Sequence, residues 1–283
     1  MRTPDTFPDE PQAKQPGKEH ILETQPVIIR ESYKGSNKLE GKIAFITGGD
    51  SGIGKSAAIH FAREGASVAF VYYNEDKDAD NTREEIENEG VQCISIKGDI
   101  KDEKFCEEAI KKTVDTFGSL NIVVNNAAMQ FPEDSIEDIS TDNLHTTFET
   151  NIYSFFYITK EAIKHLKEGD CIINSTSVTA FKGSSHLLDY SSTKGAITAF
   201  TRSLSQSLAK KGIRVNGVAP GPIWTPLIPS SFKDFSDFGQ DTPLGRAGQP
   251  AELGPAYVYL ASEDSSYMTG QILHINGGHI VGS

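Results

Sequence analysis

From Lys42 onward the chain alternates short aliphatic runs with longer, helically spaced ones, and this alternation restricts the fold more than any other feature. The runs "KIAFITGG" (42–49), "SVAFVYY" (67–73), "QCISIKGDI" (92–100), "LNIVVNNAA" (120–128), "CIINSTS" (171–177), "RVNGVAP" (214–220) and "QILHINGG" (271–278) read as strands. Between them, 55–65, 76–90, 102–118, two long segments near 142–167 and 188–211, and 251–262 read as helices. Strands that alternate with helices of this length form βαβ units, whose crossovers cover both faces of a parallel sheet. The expected fold is α/β: a doubly wound, mostly parallel sheet in one domain spanning 41–283, with no fixed-period repeat and no interior linker. In such a sheet, ligands collect outside the C-terminal strand ends, near the point where the strand order reverses.

The turn "TGGDSGIG" (47–54) lies at such a place, between the first strand and the first helix. Gly48, Gly52 and Gly54 permit a tight turn and close approach of a pyrophosphate. The helix start beyond them offers free amides and a partial positive charge. Further along, "DYSSTKGA" (189–196) sets Tyr190 four residues before Lys194, on one helical face. A free phenol titrates at about 10, and a neighbouring ammonium lowers that value, which suits proton exchange with a hydroxyl or carbonyl oxygen. Ser175, Thr176 and Ser177 end the fifth strand, thirteen positions or slightly more before Tyr190. A hydroxyl there can donate to a substrate oxygen and stabilise developing negative charge.

The glycine spacing is TGxxxGIG, and together with "NNAA" (125–128), Asn151, Ser177, "YSSTK" (190–194) and "PGPIWT" (220–225) it resembles the short-chain dehydrogenase/reductase family over residues 40–283. The resemblance implies a Rossmann-type sheet and hydride transfer between a nicotinamide cofactor and an alcohol or carbonyl substrate, with a sugar, a polyol and a small ketone or aldehyde all open. It selects Ser177 among the three hydroxyls, gives Lys194 a second role on the nicotinamide ribose, and assigns Asn151 to a water in the proton relay. Tyr190, Ser177, Lys194 and Asn151 are thus the expected catalytic set. The expected cofactor contacts are Gly48, Asp50, Ser51, Gly52, Ile53 and Gly54 in the glycine turn, and Tyr72 after the second strand. Asp99 and Ile100 match positions around the adenine, and Asn125 and Ala127 positions beside the adenosine ribose. Pro220, Gly221, Ile223 and Thr225 match the turn flanking the nicotinamide amide, with Tyr190 and Lys194 completing the set. The alternative is a dinucleotide-binding sensor or scaffold without catalysis, against which the complete Ser–Tyr–Lys–Asn set argues. An epimerase or dehydratase of the related extended family would carry a GxxGxxG turn and a longer C-terminal domain, neither of which is present.

The position that ends the second strand selects the cofactor: an acid there binds a ribose 2′-hydroxyl, and a nearby base accepts a 2′-phosphate. Here it is Tyr72, followed by Tyr73 and Asn74, with Ser51 at the loop position before Gly52. Asp50, Glu75 and Asp76 would repel a dianionic phosphate, and Lys77 is the nearest cation in sequence. These cues favour NAD over NADP.

Residues 1–40 differ in texture. Rich in Pro, Asp, Glu, Gln and Lys, they cannot bury enough surface to order themselves, so they form an arm that is either disordered or laid over a neighbouring surface. "PVIIR" (26–30) is its one apolar docking point. The arm resembles extensions in a bacterial subgroup labelled after glucose or ribitol dehydrogenase. The long, aperiodic segment 223–248 reads as a lid, with Trp224, Leu227 and Phe232 excluding water from the substrate. The helices near 151–168 and 188–211 carry Phe155, Phe156, Ala196, Ala199 and Phe200, more apolar surface than one face needs. In the resembling family such helices pair across subunits, which implies a homotetramer.

A net charge of −12 argues against nucleic acid or an anionic membrane as partner. No run approaches the ~18 apolar residues of a membrane span, and the N-terminus lacks the order of a secretory signal. Cys93, Cys106 and Cys171 form no disulfide framework or zinc motif and read as reduced, buried thiols, so a cytoplasmic location is expected. The seven histidines lack metal-binding spacing, so no metal is expected, and His186 reads as a plain loop residue.

Overall fold

The computed structural model of the chain describes residues 7, 8 and 10–281. Of the arm at 1–40, residues 1–6 and 9 therefore lie outside the described residues. The strands are β1 (Ile43–Thr47), β2 (Ser67–Tyr72), β3 (Cys93–Lys97), β4 (Ile122–Asn125), β5 (Cys171–Ser175), β6 (Arg214–Pro220) and β7 (Ile272–Ile275). They form one parallel sheet in the order β3-β2-β1-β4-β5-β6-β7. The chain winds outward from β1 to β3, returns to the other side of β1 with β4, and then winds outward again. The reversal therefore falls between β1 and β4, whose C-terminal ends open the crevice expected of a doubly wound sheet.

Strand alternation divides the interior into two cores. In β1, Ala44 and Ile46 face a core completed by Ala58 and Phe61 of helix α1 (Gly52–Arg63) and by residues of the C-terminal helix. Phe45 faces the opposite core, with Cys106 and Ile110 of helix α3 (Glu103–Phe117). Helix α2 (Asp76–Asn88) covers the first face through Ala79 and Ile86. Removing one large side chain from either core, as in Phe61→Ala, costs ~3–5 kcal/mol. The helix start signals also act locally. The Asp102 carboxylate accepts from Lys104 and Phe105 N–H at the start of α3, and Gly118 ends it in the left-handed region at φ 80°.

The segment expected as one helix over 142–167 is broken. Helix α4 (Thr141–Phe148) passes through a π turn at Glu149–Tyr153 into α5 (Ser154–Ala162). The π turn contains Asn151, whose side chain is held from outside the helix, and such insertions are frequent at functional sites. Beyond β5 come a short turn of helix, α6 (Thr179–Lys182), and the long α7 (Leu188–Leu208). Helix α8 (Leu227–Ser231) lies within the expected lid, and α9 (Gly254–Ala261) packs Tyr257 and Val258 against α1. No helix among the described residues is long and apolar enough to cross a membrane.

The described part of the arm lies over its own domain. Val27 N–H donates to Gln249 Oε1, and Val27 C=O accepts from Ala251 N–H. Ile28 and Ile29 pack against the first core, so the apolar patch at 26–30 docks within the chain.

Candidate active site

A cleft of about 1020 Å³ runs along the C-terminal strand ends. This is at the upper end of the ~300–1,000 Å³ range of ligand sites. The glycine turn forms its floor. Gly48 and Gly52 lie at φ 63° and 53°, conformations that disfavour a side chain. A Cβ on Gly54 would sit 1.9 Å from the Gly48 carbonyl oxygen, so the turn closes only with glycine there. Thr47 Oγ1 accepts from the N–H groups of Asn126 and Ala127, and Asn126 Nδ2 donates to the Thr47 and Gly48 carbonyls. Asn126 thereby ties the glycine turn to the loop after β4.

Gly48, Asp50, Ser51, Gly52 and Ile53 line the cleft, as do Tyr72, Asp99, Ile100 and Ala127. Pro220, Gly221, Ile223 and Thr225 line its other side. Gly54, Asn125 and Asn151 do not. Gly54 shapes the turn from beneath. Asn125 is opposite Asn174 in the β4–β5 register and donates to its Oδ1 at 3.0 Å, fully buried in the sheet. Strand alternation therefore turns Asn125 away and gives the cleft position to Asn126, which residue type alone does not distinguish. Asn151 braces two elements: its Nδ2 donates to Met129 C=O and Thr193 Oγ1, while its Oδ1 accepts from Met129 N–H. Its side chain is spent on these bonds, one of them to the residue just before Lys194, and lies outside the cleft.

Ser177, Tyr190 and Lys194 converge at one end of the cleft. Ser177 emerges just after β5, and α7 brings Tyr190 and Lys194 over the same strand end. The Ser177 hydroxyl lies beside the Tyr190 phenol and favours its ionised form. Ser177 Oγ accepts from the N–H and Oγ1 of Thr179, both at 3.1 Å, so Thr179, which sequence reasoning missed, orients it. The rival hydroxyls are engaged elsewhere. Ser175 Oγ pairs with Tyr257 Oη at 2.6 Å, and Thr176 Oγ1 donates to Lys194 C=O.

Lys194 Nζ lies 5.2 Å from the centre of the Tyr190 ring and donates to Ser175 C=O at 3.0 Å. The expected lowering of the phenol by this lysine does not govern the site. Burial pushes Tyr190 up to about 12, opposed by the Ser177 hydroxyl, and burial pushes Lys194 down to about 7. Withdrawal from water penalises both charged forms, and near neutral pH the lysine exchanges its proton readily while the phenol holds its own. This end can therefore donate a proton to a carbonyl oxygen held by Ser177.

The opposite end, near Tyr72, is acidic. Tyr72 Oη donates to Asp76 Oδ1, and Asp76 is paired with Lys97. Asp50 is buried, and burial, reinforced by Glu75, Asp78 and Glu19, pushes it up to about 7.

Residues 48–279 match the family model described as enoyl-(acyl carrier protein) reductase. The chain is 51% identical to glucose and ribitol dehydrogenase of Daucus carota, over 97% of each chain. The chain belongs to the short-chain dehydrogenase/reductase family. It is also 50% identical to NADPH-dependent aldehyde reductase 1 of Arabidopsis thaliana, over 95% of this chain and 97% of the relative. A solved short-chain dehydrogenase from Burkholderia cenocepacia, in complex with NADP, superposes with a TM-score of 0.81 at 28% identity, over 85% of this chain and 98% of its own. This short-chain dehydrogenase/reductase is a nicotinamide-dependent oxidoreductase acting at an alcohol or carbonyl carbon. A glycine floor and a cleft of this volume fit the cofactor.

One wall of the cleft departs from expectation. Leu227 and Phe232 line it, but Trp224 does not. Trp224 is fully buried, stacked on Phe7 of the arm at 3.9 Å between ring centres, and its Nε1–H donates to Thr24 C=O. The arm supplies an apolar partner that removes this side chain from the substrate side.

Proposed function

We propose that this enzyme interconverts small hydroxylated aldehydes or ketones, sugar-like in polarity, with the corresponding alcohols, using NAD(H) in preference to NADP(H). Tyr190 is the proton donor and acceptor, Ser177 holds the substrate oxygen, and Lys194 grips the ribose and supports the proton path. Asn151 acts from behind, bracing Met129 and α7. When bound, the nicotinamide supplies the carbon that gives or takes hydride. The observation that supports this reading is the meeting of Ser177, Tyr190 and Lys194 in one cleft, at the opposite end from Tyr72.

The substrate reading is supported by a mixed lining of Gln130, Asn143, Ser184, Leu187 and Phe232, and by the likeness to a glucose and ribitol dehydrogenase and an aldehyde reductase. The NAD preference is supported by the carboxylates around Asp50 and by the pairing of Lys97 and Lys101 with Asp76 and Asp99. Of the cleft-wall cations, Lys101 and Lys182 are paired with Asp99 and Asp241 and Lys194 lies at the Ser177 end, which leaves Lys14 of the arm for a 2′-phosphate. Initial rates of NADH and NADPH oxidation at equal concentration, over a panel of aldehydes, ketones and sugars, test both points. A strong NADPH preference refutes the cofactor choice, and activity confined to apolar ketones refutes the substrate class.

We further read residues 1–40 as an extension of a catalytic unit at 41–283, in a cytoplasmic homotetramer. Exposed Tyr153 and Phe156 on the π turn and α5, with Phe156 against Phe200 of α7, support pairing of these helices between subunits. Sedimentation as a monomer at micromolar concentration would defeat this assembly.

A further inference from the structure

The arm does more than cover a surface. Ala13–Gly17 form part of the wall of the dinucleotide cleft. On either side of this segment the chain is fastened to opposite lips. On one lip, the Glu19 carboxylate accepts from Gly52 N–H at 2.8 Å, at the first residue of α1, and pairs with Lys55 at 3.1 Å. The N–H groups of Glu19 and His20 donate to the two oxygens of Asp78 on α2. On the other lip, Gln12 N–H donates to Pro229 C=O in α8, and Phe7 stacks on Trp224. Between the fastenings, Gln15 makes a two-way bond with the backbone of Gln130, its Nε2 donating to the carbonyl and its Oε1 accepting from the N–H. Gly17 abuts Pro226 so closely that a Cβ would lie 2.1 Å from its carbonyl oxygen.

We propose that residues 12–19 are a strap across the cofactor cleft, fastened to both lips, and that release at Glu19 gates exchange of the nicotinamide cofactor. A ligand as long as a dinucleotide reaches a cleft tied in this way either by threading beneath the strap or by its release. The two fastenings differ in kind. The Phe7–Trp224 side buries aromatic surface and is reinforced by the Trp224–Thr24 hydrogen bond. The Glu19 side is polar: the carboxylates of Glu19 and Glu85 share the buried Lys55, and Asp78 adds its repulsion to Glu19, so like charges weaken it. Glu19 also grips Gly52, the same turn that a pyrophosphate approaches, so cofactor binding and the latch act on one backbone segment. The release step therefore lies in the exchange of cofactor rather than in proton transfer. The proposal rests on the cofactor reading of this cleft.

The test is the dissociation rate of NADH from the full-length protein, measured by stopped-flow displacement. Loss of a buried charge-assisted hydrogen bond is worth about tenfold or more. Glu19→Gln should accelerate release by that factor, and Gln15→Ala by less. As a measurement independent of any variant, backbone amides of residues 12–24 in the wild-type protein should gain hydrogen-exchange protection when NADH saturates it. Unchanged release in Glu19→Gln, or unchanged protection on NADH binding, overturns the strap. Failure of the intact protein to bind either NADH or NADPH would defeat the cofactor reading itself, whereas unchanged release from a protein that binds normally would defeat the strap alone.

Discussion

The two ends of the cleft are both withdrawn from water, yet they hold opposite charge. At the Ser177 end, Lys194 is a buried cation pushed down to about 7 beside a phenol pushed up to about 12. At the Tyr72 end, Asp50 is a buried acid pushed up to about 7, with Glu75, Asp78 and Glu19 adding their repulsion. Burial leads at both ends, so each group drifts toward its neutral form. Neighbours decide the remainder: Lys194 is shifted by burial alone, whereas Asp50 has like charges close by. The difference teaches that one end is set to pass a proton near neutral pH, while the other is set to disfavour added negative charge.

The largest expected effect breaks the proton-transfer end alone. Tyr190→Phe removes the hydroxyl beside Ser177 and should lower kcat by about 10²–10⁴. Equilibrium titration with NADH should show binding retained; loss of binding as well would mean that the phenol shapes the cleft rather than moves the proton. Lys194→Met comes next, with an expected loss of about 10² in kcat/KM. This variant also tests the charge reading. Between about pH 7 and the usual lysine value of 10.5, the unfolded chain binds a proton that the folded chain lacks. Lysine burial therefore makes stability rise with pH across that window. Thermal melts from pH 7 to pH 9 should lose that rise in the variant.

Between the two ends, Gly54→Ala places a methyl against the Gly48 carbonyl and should cost ~1–3 kcal/mol, read as weaker NADH binding, a lower Tm or both. An unchanged affinity and Tm would show that the turn relaxes freely. The smallest effect sharpens the acidic end. Asp50 binds its proton more tightly folded than unfolded, so its contribution is full below the usual carboxyl value of 3.8 and is lost as pH rises through about 7. Asp50→Asn should remove that decline, read as a flatter dependence of Tm on pH. Melts from pH 4 to pH 7 check the sign: a slope unchanged by the substitution would mean that Asp50 is ionised throughout.

The parts of the site legible in the sequence share a physical character. Tyr190 and Lys194 are one helical turn apart, and Gly48, Gly52 and Gly54 sit within one turn of backbone, so local geometry positions them. The misplaced residues depend on partners distant in sequence. Asn125 turns inward because β5 presents Asn174 to it. Trp224 leaves the substrate wall because Phe7 and Thr24 arrive from the arm. The helix over 142–167 breaks because Asn151 is taken by Met129 and Thr193. Thr179 carried no signal beyond its nearness to Ser177.

By itself, the sequence determined the alternation of strand and helix, the parallel doubly wound sheet, the glycine turn at its switch point and the Ser–Tyr–Lys group, because periodicity and short spacings act through neighbouring backbone. Only the tertiary structure decided which asparagine faces the cleft, where Trp224 is buried, which acids crowd Asp50, and that Ala13–Gly17 of the arm form part of the cleft wall. Those outcomes depend on contacts between segments far apart in sequence, such as Trp224 and Thr24, 200 residues apart, and composition that cannot order a segment alone says nothing of the surface that orders it.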